Sequence, residues 1–133
     1  MTYYLDANIL VYIIRNVNRE NLDARIKASR KYIKVPSIVK AELITGAYKR
    51  NDTEDALIRI EKLLSPFEVV PFDDAASEVY GKVRADLEAK GKVIGANDMI
   101  IAATVLSRGG ILVTNNVKEF ERVEGLQIEN WSK

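Results

Sequence analysis

The sequence predicts an α/β fold: a parallel sheet of about four to five strands flanked by helices, in three α/β/α layers. Three observations carry this. Short β-branched or aromatic runs alternate with longer segments of helical spacing, the pattern of repeated βα units. Residues 99–106 are apolar on every side, as suits a helix buried in the middle of a domain. The 133 residues show no repeat, linker or low-complexity tract, which suits a single domain over residues 1–133.

Along the chain, Tyr3-Tyr4-Leu5 reads as a strand that ends on Asp6, and residues 8–15 as a short buried helix. Residues 16–21 are polar and loop-like. A basic helix is expected over 22–32, with Leu22, Ile26, Ser29 and Ile33 inward. Lys34-Val35-Pro36 is a very short strand; Pro36 disfavours helix before it, and Ser37 can cap the next helix. That helix, over 37–48, carries Glu42 on a face with Ile38, Ala41 and Thr45. Small neighbours there leave room for something to approach. Asp52 to Asp55 open another helix with acids in its first turn, where the helix dipole favours them. Its stripe is Leu57, Ile60 and Leu64, and Ser65-Pro66 stops it. Residues 67–72 form a strand. Asp73 and Asp74 cap a helix whose inner face is Ala76, Val79, Tyr80, Val83 and Leu87. Gly95-Ala96-Asn97-Asp98 leads into the apolar helix, and Gly109-Gly110 ends it. Strand 111–114, a turn at Asn115-Asn116, one helical turn over 117–120 and an edge strand over 126–129 complete the chain.

Composition narrows the chemistry. Apolar residues make up 47% and charged residues 29%, which is ordinary for a soluble protein. There is no Cys and no His. Disulfides, thiolate zinc sites and the commonest general base are therefore excluded. Any metal must be held by oxygen, which points to a hard cation such as Mg²⁺ or Mn²⁺. The longest wholly apolar run is six residues, Ile9 to Ile14, against about 20 for a membrane span. With no basic leader before that run, a cytoplasmic setting is expected. The net charge is only +1, but Arg25, Lys27, Arg30, Lys31, Lys34 and Lys40 form an acid-free basic run. Such a run is either a solvated helix face or the footprint of a nucleic-acid backbone, with Arg25, Lys27 and Lys31 as the possible RNA contacts.

In a parallel α/β sheet, ligands sit at the carboxyl ends of the strands, and helix N-termini lie at that same edge. Asp6 ends the first strand. Asp98 starts a helix, and Glu42 lies in an early turn of another. Thr114, Asn115 and Asn116 come just after the fourth strand, and Asn8 just after Asp6. Asp6 or Asn8 could be no more than a helix cap. Three carboxylates converging with no Lys in the motifs of Asp6 and Asp98 is harder to explain that way. Crowded like charges repel, and a divalent cation is the simple resolution.

These stretches resemble the PIN-domain ribonucleases, most closely the VapC toxins of prokaryotic toxin–antitoxin pairs. The resemblance rests on Tyr4-Leu5-Asp6-Ala7-Asn8, Lys40-Ala41-Glu42-Leu43, Gly95-Ala96-Asn97-Asp98-Met99-Ile100-Ile101-Ala102-Ala103 and Val113-Thr114-Asn115-Asn116 with Glu119-Phe120. Each motif is short, but four in order span residues 4 to 120. The resemblance implies a PIN-like fold and Mg²⁺- or Mn²⁺-dependent endonucleolytic cleavage of RNA. It implies Asp6, Glu42 and Asp98 as catalytic and metal-binding carboxylates, with Asn8, Thr114, Asn115 and Asn116 as supporting polar groups. Many relatives place an Asp just after the fourth strand, where this chain has Asn115 and Asn116. Glu119 is the acid available there, acting through water or a second metal. Direct hydrolysis by an activated water leaves a 5′-phosphate and a 3′-hydroxyl. The resemblance also implies a homodimer and a VapB-like antitoxin that blocks the site with an Arg. In this chain Ile13, Ile14 and Tyr48 are candidates for the groove that would hold the antitoxin.

Two other readings stay open on the sequence. A PIN-like fold can be a non-catalytic RNA- or protein-binding module, which need not respond to metal. A strand ending in Asp also opens dehalogenase-like phosphatases, in which Asp6 would be the nucleophile. Those begin Asp-x-Asp, and this chain has Asp6-Ala7-Asn8.

Overall fold

A five-stranded parallel sheet forms the centre of the computed structural model, which describes residues 1–17 and 19–133. Its strands are β1 (Tyr3–Leu5), β2 (Ile33–Pro36), β3 (Glu68–Val70), β4 (Ile111–Val113) and β5 (Gln127–Glu129). They lie in the spatial order β3-β2-β1-β4-β5. The helices that flank the sheet are α1 (Ala7–Arg15), α2 (Arg19–Ser29), α3 (Ser37–Tyr48), α4 (Thr53–Leu64), α5 (Asp74–Ala89), α6 (Ala96–Ser107) and α7 (Val117–Phe120). The expected three-layer α/β/α arrangement is the one observed.

The strand order reverses between β1 and β4. From β1 the chain steps outward to β2 and β3, then crosses back to β4 and steps outward to β5. Tyr3 pairs with both Ile33 and Ile111, and Leu5 with Val113, so β1 is hydrogen-bonded on both sides. Such a reversal opens a crevice at the carboxyl ends of the two middle strands. Asp6 and Thr114 are the first residues beyond those ends.

The core sits where parallel strands need cover on both faces. Leu5, Ile9, Leu10, Val35, Ile101, Val105 and Leu112 are fully buried. Helix α6 has five consecutive buried residues, Ile101 to Val105, which fits its all-apolar sequence. Gly110 lets α6 turn into β4: a Cβ there would collide with the Tyr4 ring and lie 2.9 Å from the Thr2 carbonyl oxygen. Gly109 takes φ +69°, the left-handed conformation expected after a helix.

Several boundaries differ from expectation, each for a local reason. Helix α2 starts at Arg19 rather than residue 22, supported by an Arg19–Asp23 ion pair of 2.8 Å one turn apart. It ends at Ser29, and Arg30–Tyr32 tighten into a 3-10 turn. Of the loop expected over 16–21, Asn16 ends α1 at φ 57°, residues 19–21 are helical, and residue 18 lies outside the described residues. Strand β3 stops at Val70 because Pro71 has no N–H to continue a ladder. The buried stripe of α3 is Val39, Leu43 and Ala47. Ala41 and Thr45 are exposed, so the face bearing Glu42 is left open. Among the described residues, no helix is long and apolar enough to cross a membrane.

Candidate active site

Asp6 does two jobs at the end of β1. One carboxylate oxygen accepts the Ala7 N–H at 2.8 Å and caps α1. The other accepts the Thr114 hydroxyl at 2.7 Å across the switch point. The Thr114 oxygen in turn accepts the Asn116 N–H at 3.0 Å. Asp6 is 4% exposed and Thr114 is fully buried. Burial pushes the Asp6 carboxyl above its usual range, the bonds from Thr114 and Ala7 pull it down, and the Glu119 charge raises it further. The cap reading of Asp6 is therefore realised, and its second oxygen is bonded across the switch point.

Asp98 lies in the first turn of α6, half-buried, and faces Glu119 of α7. Gly95 lies beneath both: a Cβ there would be 3.3 Å from an Asp98 oxygen and 3.8 Å from a Glu119 oxygen. Glu119 accepts the Gly95 N–H at 2.9 Å and the Asn116 side-chain amide at 2.7 Å. Those two bonds hold the Glu119 carboxyl below its usual range. Asp98 is pushed up to about 7 by burial first, then by the charges of Glu119, Asp6 and Glu42. The two carboxyls are thus pushed in opposite directions, Asp98 up and Glu119 down.

Glu42 comes from the second turn of α3. Its pKa is raised by burial and by the Asp6 charge, and the Asn97 side chain offsets this in part. One Glu42 oxygen is buried with no hydrogen-bond partner among the described residues. Buried acceptors are normally satisfied, so an orphan beside other acids calls for a donor or a cation.

Asp6, Glu42 and Asp98 lie near enough for their charges to act on one another, and the polar residues around them divide. Asn116 joins the network through Thr114 and Glu119. Asn115 donates to the Tyr12 hydroxyl, and its own carbonyl oxygen has no partner among the described residues. Asn8 is exposed, and its side chain makes no hydrogen bond among the described residues. Arg25, one of the expected RNA contacts, is exposed. Its guanidinium bonds Glu129 at 2.6 Å and stacks 5.0 Å over the Trp131 ring, so its charge is already engaged. Lys27 and Lys31 are exposed. Of the three groove candidates, Ile14 lines a groove of about 280 Å³ together with Arg15, Glu42, Gly46, Arg50 and Arg59. Ile13 packs against the core instead, and Tyr48 is exposed outside the groove.

Sequence reasoning missed three contributors: the Gly95 N–H, the Asn97 amide and Tyr12. The first two lie inside the Gly95-Ala96-Asn97-Asp98 motif, in which Asp98 alone stands out by charge. A polar residue one position before a helical acid was the available signal. Tyr12 gave none, because it lies within the apolar run Ile9 to Ile14.

The all-oxygen donor set fits a hard divalent cation. The mutual repulsion of the acids and the unpartnered Glu42 oxygen argue the same way. Among the described residues no three carboxylates close into a ready cage. Mg²⁺ does not need one, since it commonly takes one or two carboxylates and keeps several waters.

The chain belongs to the PIN domain family, whose model matches residues 3–126. It is 38% identical to "Ribonuclease VapC2" of Rickettsia felis, with 100% of both chains covered. It is also 38% identical to the "tRNA(fMet)-specific endonuclease VapC" of Shigella flexneri, over 99% of each chain. Among solved structures it matches VapBC2 from Rickettsia felis bound to a promoter DNA fragment. The TM-score is 0.93 at 37% identity, covering 98% of this chain and 99% of that one. DNA-bound VapBC from Salmonella typhimurium matches with TM-score 0.94 at 37% identity over 98% of each.

Proposed function

We propose that the protein is a VapC-type toxin, a metal-dependent endoribonuclease that cleaves RNA phosphodiester bonds by direct hydrolysis. The observation that carries this reading is the convergence of Asp6, Glu42 and Asp98 at the switch point, with one Glu42 oxygen unpartnered. The names and full-length identity of its relatives support it. Asp6, Asp98 and Glu42 would hold Mg²⁺ or Mn²⁺. When bound, such an ion neutralises phosphate charge and makes water a better nucleophile near neutral pH. Thr114 and the Ala7 N–H fix the orientation of the Asp6 carboxylate at the end of β1. Glu42 has a free acceptor oxygen with which to orient the attacking water. Glu119, fixed by Gly95 and Asn116, holds Asp98 in place.

A VapB-like antitoxin is the partner, since the solved relatives are VapBC complexes. Its segment occupies the groove between Ile14 and Gly46, which runs to Glu42. An Arg of that segment would pair with the carboxylates through its planar fork. The toxin is a homodimer, which sedimentation at micromolar concentration checks.

The test is an assay on single-stranded RNA with Mg²⁺, with chelator, and with Asp98→Asn. Cleavage to 5′-phosphate ends that needs the metal and is lost in the variant is expected. Full activity in chelator or in Asp98→Asn overturns the mechanism. RNA binding with no cleavage favours a non-catalytic module, and a phosphoryl group trapped on Asp6 favours a phosphatase.

A further inference from the structure

The proposed nuclease reading leaves a problem of charge. The crevice is acidic, so an RNA strand entering it needs cations close by. The basic run expected to supply them is partly engaged elsewhere: Arg25 with Glu129, and Lys34 with Glu68 at 3.6 Å.

A second set of cations lies beside the acids. A cleft of about 290 Å³ is lined by Gly91, Lys92, Lys118, Glu121 and Arg122, three cations against one acid. Its walls are the loop between α5 and α6 and the short helix α7. Two hydrogen bonds tie these walls together. The Gly95 N–H donates to Glu119 at 2.9 Å, and the Arg122 guanidinium donates to the Val93 carbonyl at 3.3 Å. The Gly95–Glu119 bond sets Glu119 near Asp98, and Glu119 is next in sequence to Lys118 of the cleft. Lys118 and Arg122 are one turn apart and flank Glu119 in sequence. Neither Lys92 nor Lys118 forms an ion pair among the described residues, and Arg122 has donors to spare. Arg122 is near enough to help hold Glu119 ionised, behind the larger effects of the Gly95 and Asn116 bonds.

We propose that Lys92, Lys118 and Arg122 form a phosphate-binding subsite for the RNA backbone, seating a phosphate next to the one being cleaved. This rests on the nuclease reading above. A strand whose scissile phosphate lies between Asp6 and Asp98 must carry its neighbouring phosphate past one side of the crevice. The cleft is a cationic surface near Glu119 whose two lysines form no ion pair among the described residues. Arg122 offers a planar fork for phosphate oxygens, and the two lysines offer compact charges. An acidic polypeptide is the other polyanion that could sit there.

The test compares Lys92→Gln/Lys118→Gln with a charge-matched Lys62→Gln/Lys82→Gln control. Both are made in an Asp98→Asn background, which cannot cleave by the proposed mechanism. Binding of a labelled single-stranded RNA oligonucleotide is measured by anisotropy across a salt series. The cleft variant should lose about tenfold in affinity at 0.1 M salt, and its log–log salt slope should flatten by about 1.4, the value for two phosphate contacts on a single strand. The control should match its parent. Equal affinity and slope in cleft variant and control overturn the subsite, whether or not the cleft variant loses binding to a polyglutamate probe. They leave the nuclease reading standing, since wild-type cleavage is scored separately. A wild-type protein that neither binds nor cleaves RNA overturns both.

Discussion

Asp98 and Glu119 face each other over Gly95 and hold their protons unequally. Asp98 is pushed up to about 7 from an ordinary 3.8, while Glu119 is held down by two hydrogen bonds. A carboxyl with a raised folded-state pKa keeps its proton where the unfolded chain has lost it. The folded state then binds more protons, so stability falls as pH rises. The metal-free protein should therefore lose stability between about pH 4 and 7, with Asp6 and Glu42 adding in the same direction. Glu119 acts oppositely and at lower pH. Asp98→Asn should raise the apo melting temperature at pH 7.5 and flatten the pH dependence. A steeper dependence in that variant would contradict the assignment.

Divalent metal should reverse the same penalty. Adding Mg²⁺ or Mn²⁺ at a hundred times its dissociation constant should stabilise the folded state by about 2.7 kcal/mol. The gain should shrink in Glu42→Gln and Asp98→Asn. Calorimetry reads this without any RNA. Each of Asp6→Asn, Glu42→Gln and Asp98→Asn should also lower the cleavage rate by at least about a hundredfold, the scale of losing a group that acts in the transition state.

Thr114→Val tests the bond across the switch point. It keeps the shape but removes the donor to Asp6 and the acceptor for the Asn116 N–H. Leaving these buried groups unsatisfied should cost about 1–3 kcal/mol. Asp6 loses the largest influence that lowers its pKa, so the acidic limb of the pH–rate profile should move upward. A denaturant midpoint and a pH profile of cleavage measure the two effects separately.

Trp131 is fully buried against Tyr3, with ring centroids 5.0 Å apart, and its indole N–H donates to Glu129. Trp131→Ala should cost about 3–5 kcal/mol, read as a drop in the chemical denaturation midpoint. The variant also removes the ring beneath Arg25.

Ile14→Asp tests the groove. Ile14 is 42% exposed, so the change should leave stability within about 0.5 kcal/mol. Co-purification with a VapB-like partner should fall at least tenfold while cleavage by the free toxin persists. Unchanged co-purification would move the docking surface elsewhere.

Asp6, Glu42 and Asp98 were legible in the sequence because each sits at a strand end or early in a helix, and parallel topology sends all three to one edge. The sheet was legible because its strands are short apolar runs with turn signals between them. The start of α2 was not, since residues 19–21 are polar and their helix depends on the Arg19–Asp23 pair. Arg25 could not be read as engaged, because its partners lie about a hundred residues away in the chain, at Glu129 and Trp131. The cationic cleft was hidden for the same reason: Lys92 joins Lys118 and Arg122 only through tertiary contact.

The hydrogen bond between Thr114 and Asp6 has a consequence for how a cell can make this protein. It joins positions 108 residues apart, and β1 lies between β2 and a strand that begins only at Ile111. During synthesis, Asp6 and Glu42 leave the ribosome long before β4 exists. The nascent chain can form α1 to α6, yet the middle of its sheet stays open on one side until about residue 114. Contacts between distant segments form late in folding. The crevice is thus assembled by the last fifth of the chain, and a translation product that stops short of it carries the carboxylates without the geometry that aligns them.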